Sequence, residues 1–335
     1  MGERVALITG SGGEMGHGVL PRLRDQGFRI VALDLYDLPE TLGRYCVETV
    51  RGDIRDEGLM GDLVQRFAPD CVYHLAAMLS AHSEADPFMA HQVNVDATCS
   101  LLRQCEESAR QKGRPVRFLF PSSIAVYGLP DAATKVEAGA VEESDWNHPR
   151  GMYGCNKLYI ELFGTFLGRR AGKAGEPGVD FRSIRFPGLI SAETLPTGGT
   201  TDYAPEMIHA AAQGKPYSCF IDEHSRLPFM TMPDAVQALL DLAEAPPESL
   251  STRVYNIRGF SPSPAEIRKR VLTHFPDAQI GFDPVPSRQA IVDSWPADVD
   301  DSRARSDWGL SPEHDLAAAI DDYLVPALRK RYDGD

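Results

Sequence analysis

The chain has 335 residues, of which 43% are hydrophobic, and a formal net charge of -14. That is enough apolar material to bury the core of one large domain or two closely packed ones. The acidic balance, without any basic run, excludes nucleic acid, whose phosphates call for clustered cations. Charge interrupts every apolar stretch before the ~20 residues of a membrane span, so no membrane partner is expected. Taken in chain order, RVALIT, RIVALD, CVYHLA, VRFLFP and VDFRSIR are short β-branched runs, each followed by a segment of helical period. This alternation predicts βαβ units and a parallel sheet, with the uniformly apolar RVALIT at its centre. Helices are expected over about residues 15 to 25, 89 to 110 and 153 to 170.

After Arg185 the pattern changes. FPGLISAETLPTGGTTDYA is rich in Pro, Gly and Thr and reads as a loop entering a helix near residues 205 to 213. PDAVQALLDLAEAP followed by RVYNI then reads as one more helix and strand returning to the main sheet. The expected division is a first domain over 1–186, rejoined by 230–258, and a smaller lobe built from 187–229 and 259–335. The six cysteines include no C-x-x-C pair and suit buried thiols in a reducing compartment, so the cytoplasm is the expected location. The nine histidines form no H-x-x-x-H, and no metal is expected.

Directly after RVALIT, the run TGSGGEMGHG places Gly10, Gly13 and Gly16 at every third position, with a helix expected to open around Glu14 and Met15. Glycines there let backbone approach a pyrophosphate, and a helix amino terminus presents N–H groups and partial positive charge to it. The plainer reading is a tight turn. Asp34, about twenty residues on, can accept the ribose hydroxyls of the adenosine half, which selects NAD over NADP; Leu35 follows it where an arginine would serve a phosphate. The plainer reading of Asp34 is a solvated acid at a strand end. Asp53 and Ile54 in RGDIRD fall where adenine would lie, and Leu75, Ala76 and Ala77 of HLAA are small residues where the cofactor would cross the sheet edge.

PSSIAVYG brings Ser122 and Ser123 to the carboxyl edge of the sheet, and Tyr153 and Lys157 in MYGCNK are i and i+4 on one helix face. Serine, tyrosine and lysine can therefore converge. In the family that this constellation resembles, named below, the reaction oxidises an alcohol; a base must then remove the alcohol proton, and a phenol of pKa ~10 has to be acidified to do so. An ammonium ~5 Å away at an effective dielectric of ~20 supplies about 3 kcal/mol toward the ~4 needed. Lys157 is therefore expected to lower the Tyr153 pKa and hold the nicotinamide ribose, with Ser123 orienting the hydroxyl.

The glycine loop, Ser123, Y-x-x-x-K and Asn94 together resemble the extended short-chain dehydrogenase/reductase superfamily over about the first 260 residues. RFPGLIS, GGTTDYAPEMIHAA, RLPFMTMPDA and DDSRARSDWG, in that order and spacing, further resemble its short-chain L-threonine 3-dehydrogenase family. The resemblance implies a Rossmann-type doubly wound parallel sheet with a smaller C-terminal α/β substrate lobe, and oxidation of L-threonine with NAD as cofactor. It implies that Asn94 orders the catalytic network, although a helix-start cap is equally compatible. It places Ser80, Ser123, Tyr153, Thr200, Thr201 and Asp202 toward the amino acid, with Pro187, Gly188 and Leu189 along the nicotinamide and Gly188 also toward substrate. For GGTTDY the plainer reading is a loop whose Thr or Asp caps the next helix. Arg185 is a candidate for the substrate carboxylate or for a structural partner, and Ser302 reads as the cap of a short helix.

A nucleotide-sugar epimerase using the same residues is the alternative activity, and a catalytically inactive dinucleotide-binding scaffold is the alternative of another class. Relatives pair as homodimers through the helices near 94–110 and 153–170. The resemblance thus implies a homodimer, while Thr98, Gln104, Glu106 and Glu107 make the first of these helices polar, which leaves a monomer as the alternative.

Overall fold

A computed structural model describes residues 4–196 and 199–333; Gly198, the first residue of GGTTDY, lies outside them. Seven strands form one sheet in the spatial order Val254–Asn256, Val179–Phe186, Val116–Ser123, Cys71–His74, Val5–Thr9, Arg29–Asp34, Glu48–Arg51. Val5–Thr9 is central, parallel to Arg29–Asp34 on one side and Cys71–His74 on the other. Its apolar side chains are buried on both faces, as helix-covered sheets require. The fold is thus the expected doubly wound α/β sheet. The chain builds outward from the centre to Glu48–Arg51 and then begins again on the other side at Cys71–His74. Where the order reverses, the carboxyl ends of two neighbouring strands part and leave a crevice.

Phe118 and Phe181 stack with centroids 6.2 Å apart beneath the helix Met152–Ala174, and Leu7, Val31 and Val72 continue the same core. Burying each such side chain contributes about 2 to 3 kcal/mol. The buried Arg182 guanidinium donates to the carbonyls of Leu242, Ala243 and Ala245 at 2.6 to 3.3 Å, satisfying the end of the helix Met232–Glu244. The following strand Val254–Asn256 then joins the sheet edge, as RVYNI predicts.

The glycine-loop helix spans Glu14–Asp25 and the long helix Met152–Ala174; a third, Tyr203–Ala212, begins two residues before its expected start. The single helix expected over 89–110 is instead three pieces: Pro87–His91, a π-helical turn Gln92–Asp96, and Ala97–Lys112. Three two-stranded pairings also went unread: Gly188–Ile190 with Phe229–Thr231, Tyr217–Cys219 with Ile280–Phe282, and Ala140–Val141 with Asp298–Val299. Runs of two or three residues are too short to display a period. Ser302 is not the cap of its helix: Asp301 holds that position, and Ser302 is the first helical residue.

The chain divides into two compact units. The first comprises Met1–Ser123, Gly151–Arg185 and Leu239–Tyr255; the second comprises Ile124–Arg150, Phe186–Ala238 and Asn256–Asp335. Residues 124–150, expected in the first domain, group with the second unit. There Ala140–Val141 pairs with Asp298–Val299, and Lys135 Nζ donates to the Val292 carbonyl at 2.8 Å.

Two of the four residues thought to make the helix Ala97–Lys112 polar at its surface face inward: Thr98 is 1% and Glu106 7% exposed. On the long helix, Tyr159, Leu162 and Phe166 are exposed, and their spacing of three and four puts them in one stripe. Cys155, expected to be buried, is exposed on that helix as well. Among the described residues, no helix is long and apolar enough to cross a membrane, and no group of three acidic, His or Cys side chains is placed to hold a metal.

Candidate active site

The turn after Val5–Thr9 is pressed against the end of the neighbouring strand. Gly10 has φ +67, and a Cβ built on it would lie 2.6 Å from the Ala76 backbone nitrogen; one on Gly16 would collide with the Ser11 carbonyl oxygen. The first site needs both a left-handed backbone and no side chain, and the second needs no side chain. Gly13 is the N-cap of Glu14–Asp25 and supplies no side-chain cap, so the first turn of that helix keeps its amide face for an anion. The Asp34 carboxylate stands at the rim of this turn, accepting from Gly12 N at 2.8 Å. Leu35 beyond it is exposed and Ile54 is buried. Asp53 is taken up by Arg55, whose side chain holds its carboxyl below the ordinary range. Leu75, Ala76 and Ala77 complete the crevice from the fourth strand. A glycine cradle, a carboxylate at its rim, and an apolar floor together fit a dinucleotide.

Asn94 lies inside the π-helical turn and is buried. It does not cap a helix start. Its Oδ1 accepts from Met78 N at 2.8 Å, and its Nδ2 donates to Met78 O at 3.0 Å and to Asn156 Oδ1 at 3.3 Å. The wider turn directs this amide to the segment before Ser80 and to the residue next to Lys157, a use to which π-turns are often put.

Lys157 is buried, and its Nζ donates to the Pro121 carbonyl at 2.6 Å, two residues before Ser123. The same Nζ lies 4.4 Å from the Phe120 ring centroid and 5.4 Å from that of Tyr153. Tyr153, Lys157, Asn94 and the strand end bearing Ser123 thus form one cluster in the first unit. Burial pushes the Lys157 ammonium down to about 7, with the Glu161 carboxylate acting in the opposite direction. Burial also pushes the Tyr153 phenol well up. The shift runs opposite to the expected acidification, and its cause is desolvation of the phenolate.

Arg185 is not available to a substrate carboxylate. It is buried, and its Nε and Nη2 donate to Glu161 at 2.9 and 2.6 Å. Ser122 Oγ donates to the same carboxylate at 2.5 Å. Glu84, on the short helix opened by Ser80, accepts from Met152 N at 2.5 Å and so caps the helix that carries Tyr153. Neither Glu84 nor Glu161 was singled out in the sequence. The signal available for Glu161 was its place one turn beyond Lys157 on the same face.

In the second unit, Pro187, Gly188 and Leu189 lead through a short strand, and a Cβ on Gly188 would meet Phe229 at 2.6 Å and Thr201 Cγ2 at 3.1 Å. Thr201 therefore lies against that strand's start. Asp202 occupies the N-cap of Tyr203–Ala212 but makes no side-chain cap; its carboxylate turns back to accept from Gly199 N at 2.8 Å. The capping reading of this motif is corrected accordingly.

The model of the NAD dependent epimerase/dehydratase family matches residues 6–257. A protein of Bos taurus described as L-threonine 3-dehydrogenase, mitochondrial, is 34% identical over 323 residues, covering 95% of this chain and 81% of that one. A monomeric L-threonine 3-dehydrogenase from a metagenome superposes with a TM-score of 0.86 at 33% identity, covering 98% of this chain and 99% of the other. L-threonine 3-dehydrogenase from Trypanosoma brucei superposes at 0.85 with 34% identity, over 98% of each chain.

Proposed function

From the premise that the chain belongs to the NAD dependent epimerase/dehydratase family, we infer that it is an NAD-dependent L-threonine 3-dehydrogenase. It oxidises the C3 hydroxyl of L-threonine to a ketone, giving 2-amino-3-oxobutyrate. The observation that carries this reading is the pair of half-buried Tyr153 and buried Lys157 at the carboxyl end of the sheet, beside a glycine turn that excludes side chains. Oxidised NAD, when bound, supplies a cationic ring and accepts the hydride from C3. Gly10, Gly13, Glu14, Met15 and Gly16 are assigned to its pyrophosphate, and Asp34 with Leu35 to the adenosine ribose. Asp53 and Ile54 are assigned to adenine; Leu75, Ala76, Ala77, Pro187 and Leu189 line the rest.

Tyr153 Oη takes the hydroxyl proton. Its phenol is raised by burial, so this step requires positive charge nearby, which the Lys157 ammonium provides at about 3 kcal/mol for ~5 Å and an effective dielectric of ~20. Lys157 also holds the nicotinamide ribose. Ser123 orients the alcohol, and Asn94 keeps the segment around Met78 and Asn156 in register with the helix of Lys157. Ser80, Gly188, Thr200, Thr201 and Asp202 are assigned to the amino acid by resemblance. The same proposal holds the protein to be a cytoplasmic homodimer.

The test is the absorbance of NADH formed with L-threonine, D-threonine, L-serine and a nucleotide sugar compared side by side. Net NADH with L-threonine supports the reading; conversion of the nucleotide sugar without net NADH replaces it with the epimerase. Tyr153→Phe is expected to lower kcat by about 10²- to 10⁴-fold while NAD binding, followed by fluorescence quenching, stays near wild type. In the wild type kcat rises with pH as Tyr153 loses its proton, and a flat profile removes phenolate chemistry.

A further inference from the structure

Glu161 stands one helical turn beyond Lys157 and is 2% exposed; its partner Arg185 is 3% exposed. Its carboxylate joins three elements. The helix Met152–Ala174 carries it, while Ser122 reaches it from the end of Val116–Ser123 and Arg185 from the end of Val179–Phe186. A buried ion pair of this kind is costly to desolvate, and apolar side chains of similar volume commonly hold a fold together as well. Holding the three elements together does not by itself call for charge here. The pair adjoins a second buried cation, the Lys157 ammonium, which desolvation drives toward its neutral form and the Glu161 carboxylate draws back. The other titratable groups around this stretch are Tyr153 on the same helix, His74 at the end of the fourth strand and Arg185. Burial keeps Tyr153 and His74 neutral near pH 7, and Arg185 is cationic. Glu84 lies at the first turn of the helix against Met152 N, and Glu161 is the carboxylate that acts on Lys157.

We propose that Glu161 is a positioning residue of the dehydrogenase: its carboxylate keeps Lys157 in the ammonium form and holds the strand end of Ser123 in register with the helix of Tyr153. The proposal rests on the dehydrogenase reading for its reaction, while the protonation of Lys157 can be followed without any substrate. In protein labelled with ¹³C-lysine, the Cε signal of Lys157, identified by its loss in Lys157→Arg, reports its titration midpoint. With a carboxylate ~6 Å away at an effective dielectric of ~20, the midpoint in Glu161→Gln is expected to fall by about one to two pH units. The packed apolar double variant Glu161→Met/Arg185→Met removes the anion and its cation together, and it is expected to stay folded with the midpoint lowered by less than in Glu161→Gln.

With L-threonine, Glu161→Gln is expected to lose about tenfold in kcat at neutral pH, with the acid limb of its pH profile moved up by about one unit and KM for NAD within about twofold. An unchanged Lys157 midpoint overturns the proposal. So does a loss of kcat by the same factor at every pH, accompanied by a lower Tm, which would make the pair a structural staple. A shifted midpoint in a protein whose wild type fails to turn over L-threonine supports the electrostatic role and removes the dehydrogenase reading instead.

Discussion

Asp34 ends its strand with one carboxylate oxygen 2.8 Å from Gly12 N and the other 3.2 Å from Tyr36 N. It is held at the lip of the glycine turn, where two ribose hydroxyls can donate to it. Two charge-assisted hydrogen bonds of this kind contribute roughly 1.5 to 3 kcal/mol each. Asp34→Ala is therefore expected to raise KM for NAD by about 10- to 100-fold and to leave KM for L-threonine within about twofold. Initial-rate measurements with each substrate varied in turn check this, and equal effects on both constants would refute the ribose assignment. The position of Asp34 was readable because it depends on local order, a strand and then an acid. The partner of Arg185 was not, since Glu161 lies on another element and only packing brings it within 2.6 Å.

At the scale of elements, the strands Val5–Thr9 and Cys71–His74 and the helix Ala97–Lys112 are joined through one imidazole. His74 bonds Thr9 Oγ1 through Nδ1 at 2.8 Å and Thr98 Oγ1 through Nε2 at 2.9 Å; Thr98 Oγ1 also donates to the Asn94 carbonyl at 2.8 Å. The cofactor turn and the Asn94 turn thereby share a support. Burial pushes His74 down to about 3, from an ordinary value of 6.5. Between these values the unfolded chain binds a proton that the folded one refuses. Stability from this group is thus fully present above about pH 6.5 and lost at about 1.4 kcal/mol per pH unit as the pH falls toward 3. Urea unfolding at pH 7.5 and 5.5 is expected to show this loss, and His74→Asn to show a smaller difference between the two pH values whatever its absolute stability. An identical difference in both proteins would remove His74 as the source. Sequence reading treated HLAA as small residues along the cofactor and left its histidine unused, because the two threonines that hold it lie 65 and 24 residues away.

For the whole molecule, the open matter is association. The polar residues that favoured a monomer lose much of their weight, since Thr98 serves the His74 support and Glu106 is bound by Arg170 at 2.7 Å. The long helix instead exposes Tyr159, Leu162 and Phe166, at 49%, 66% and 57%, along one stripe. Apolar side chains in contiguous array favour burial against another surface, and a second copy of the same helix supplies a self-complementary one. Light scattering is expected to give the mass of two chains for the wild type and of one chain for Leu162→Glu. A wild-type mass of one chain at all concentrations would return the protein to the monomer.

The sequence by itself determined the elements of the first unit and the cofactor turn, because both are written in short-range order. Strand and helix periods, glycines at every third position, and an acid at the following strand end each act over a few residues or a single βαβ unit. Tertiary structure alone decided the environment of the reactive groups. Whether Tyr153 is raised or lowered, whether Arg185 is free or held, and which way Asn94 and Asp202 turn depend on desolvation and on partners brought in from distant segments. The balance between burial and charge that sets a proton's affinity belongs to the folded neighbourhood, and no spacing along the chain encodes it.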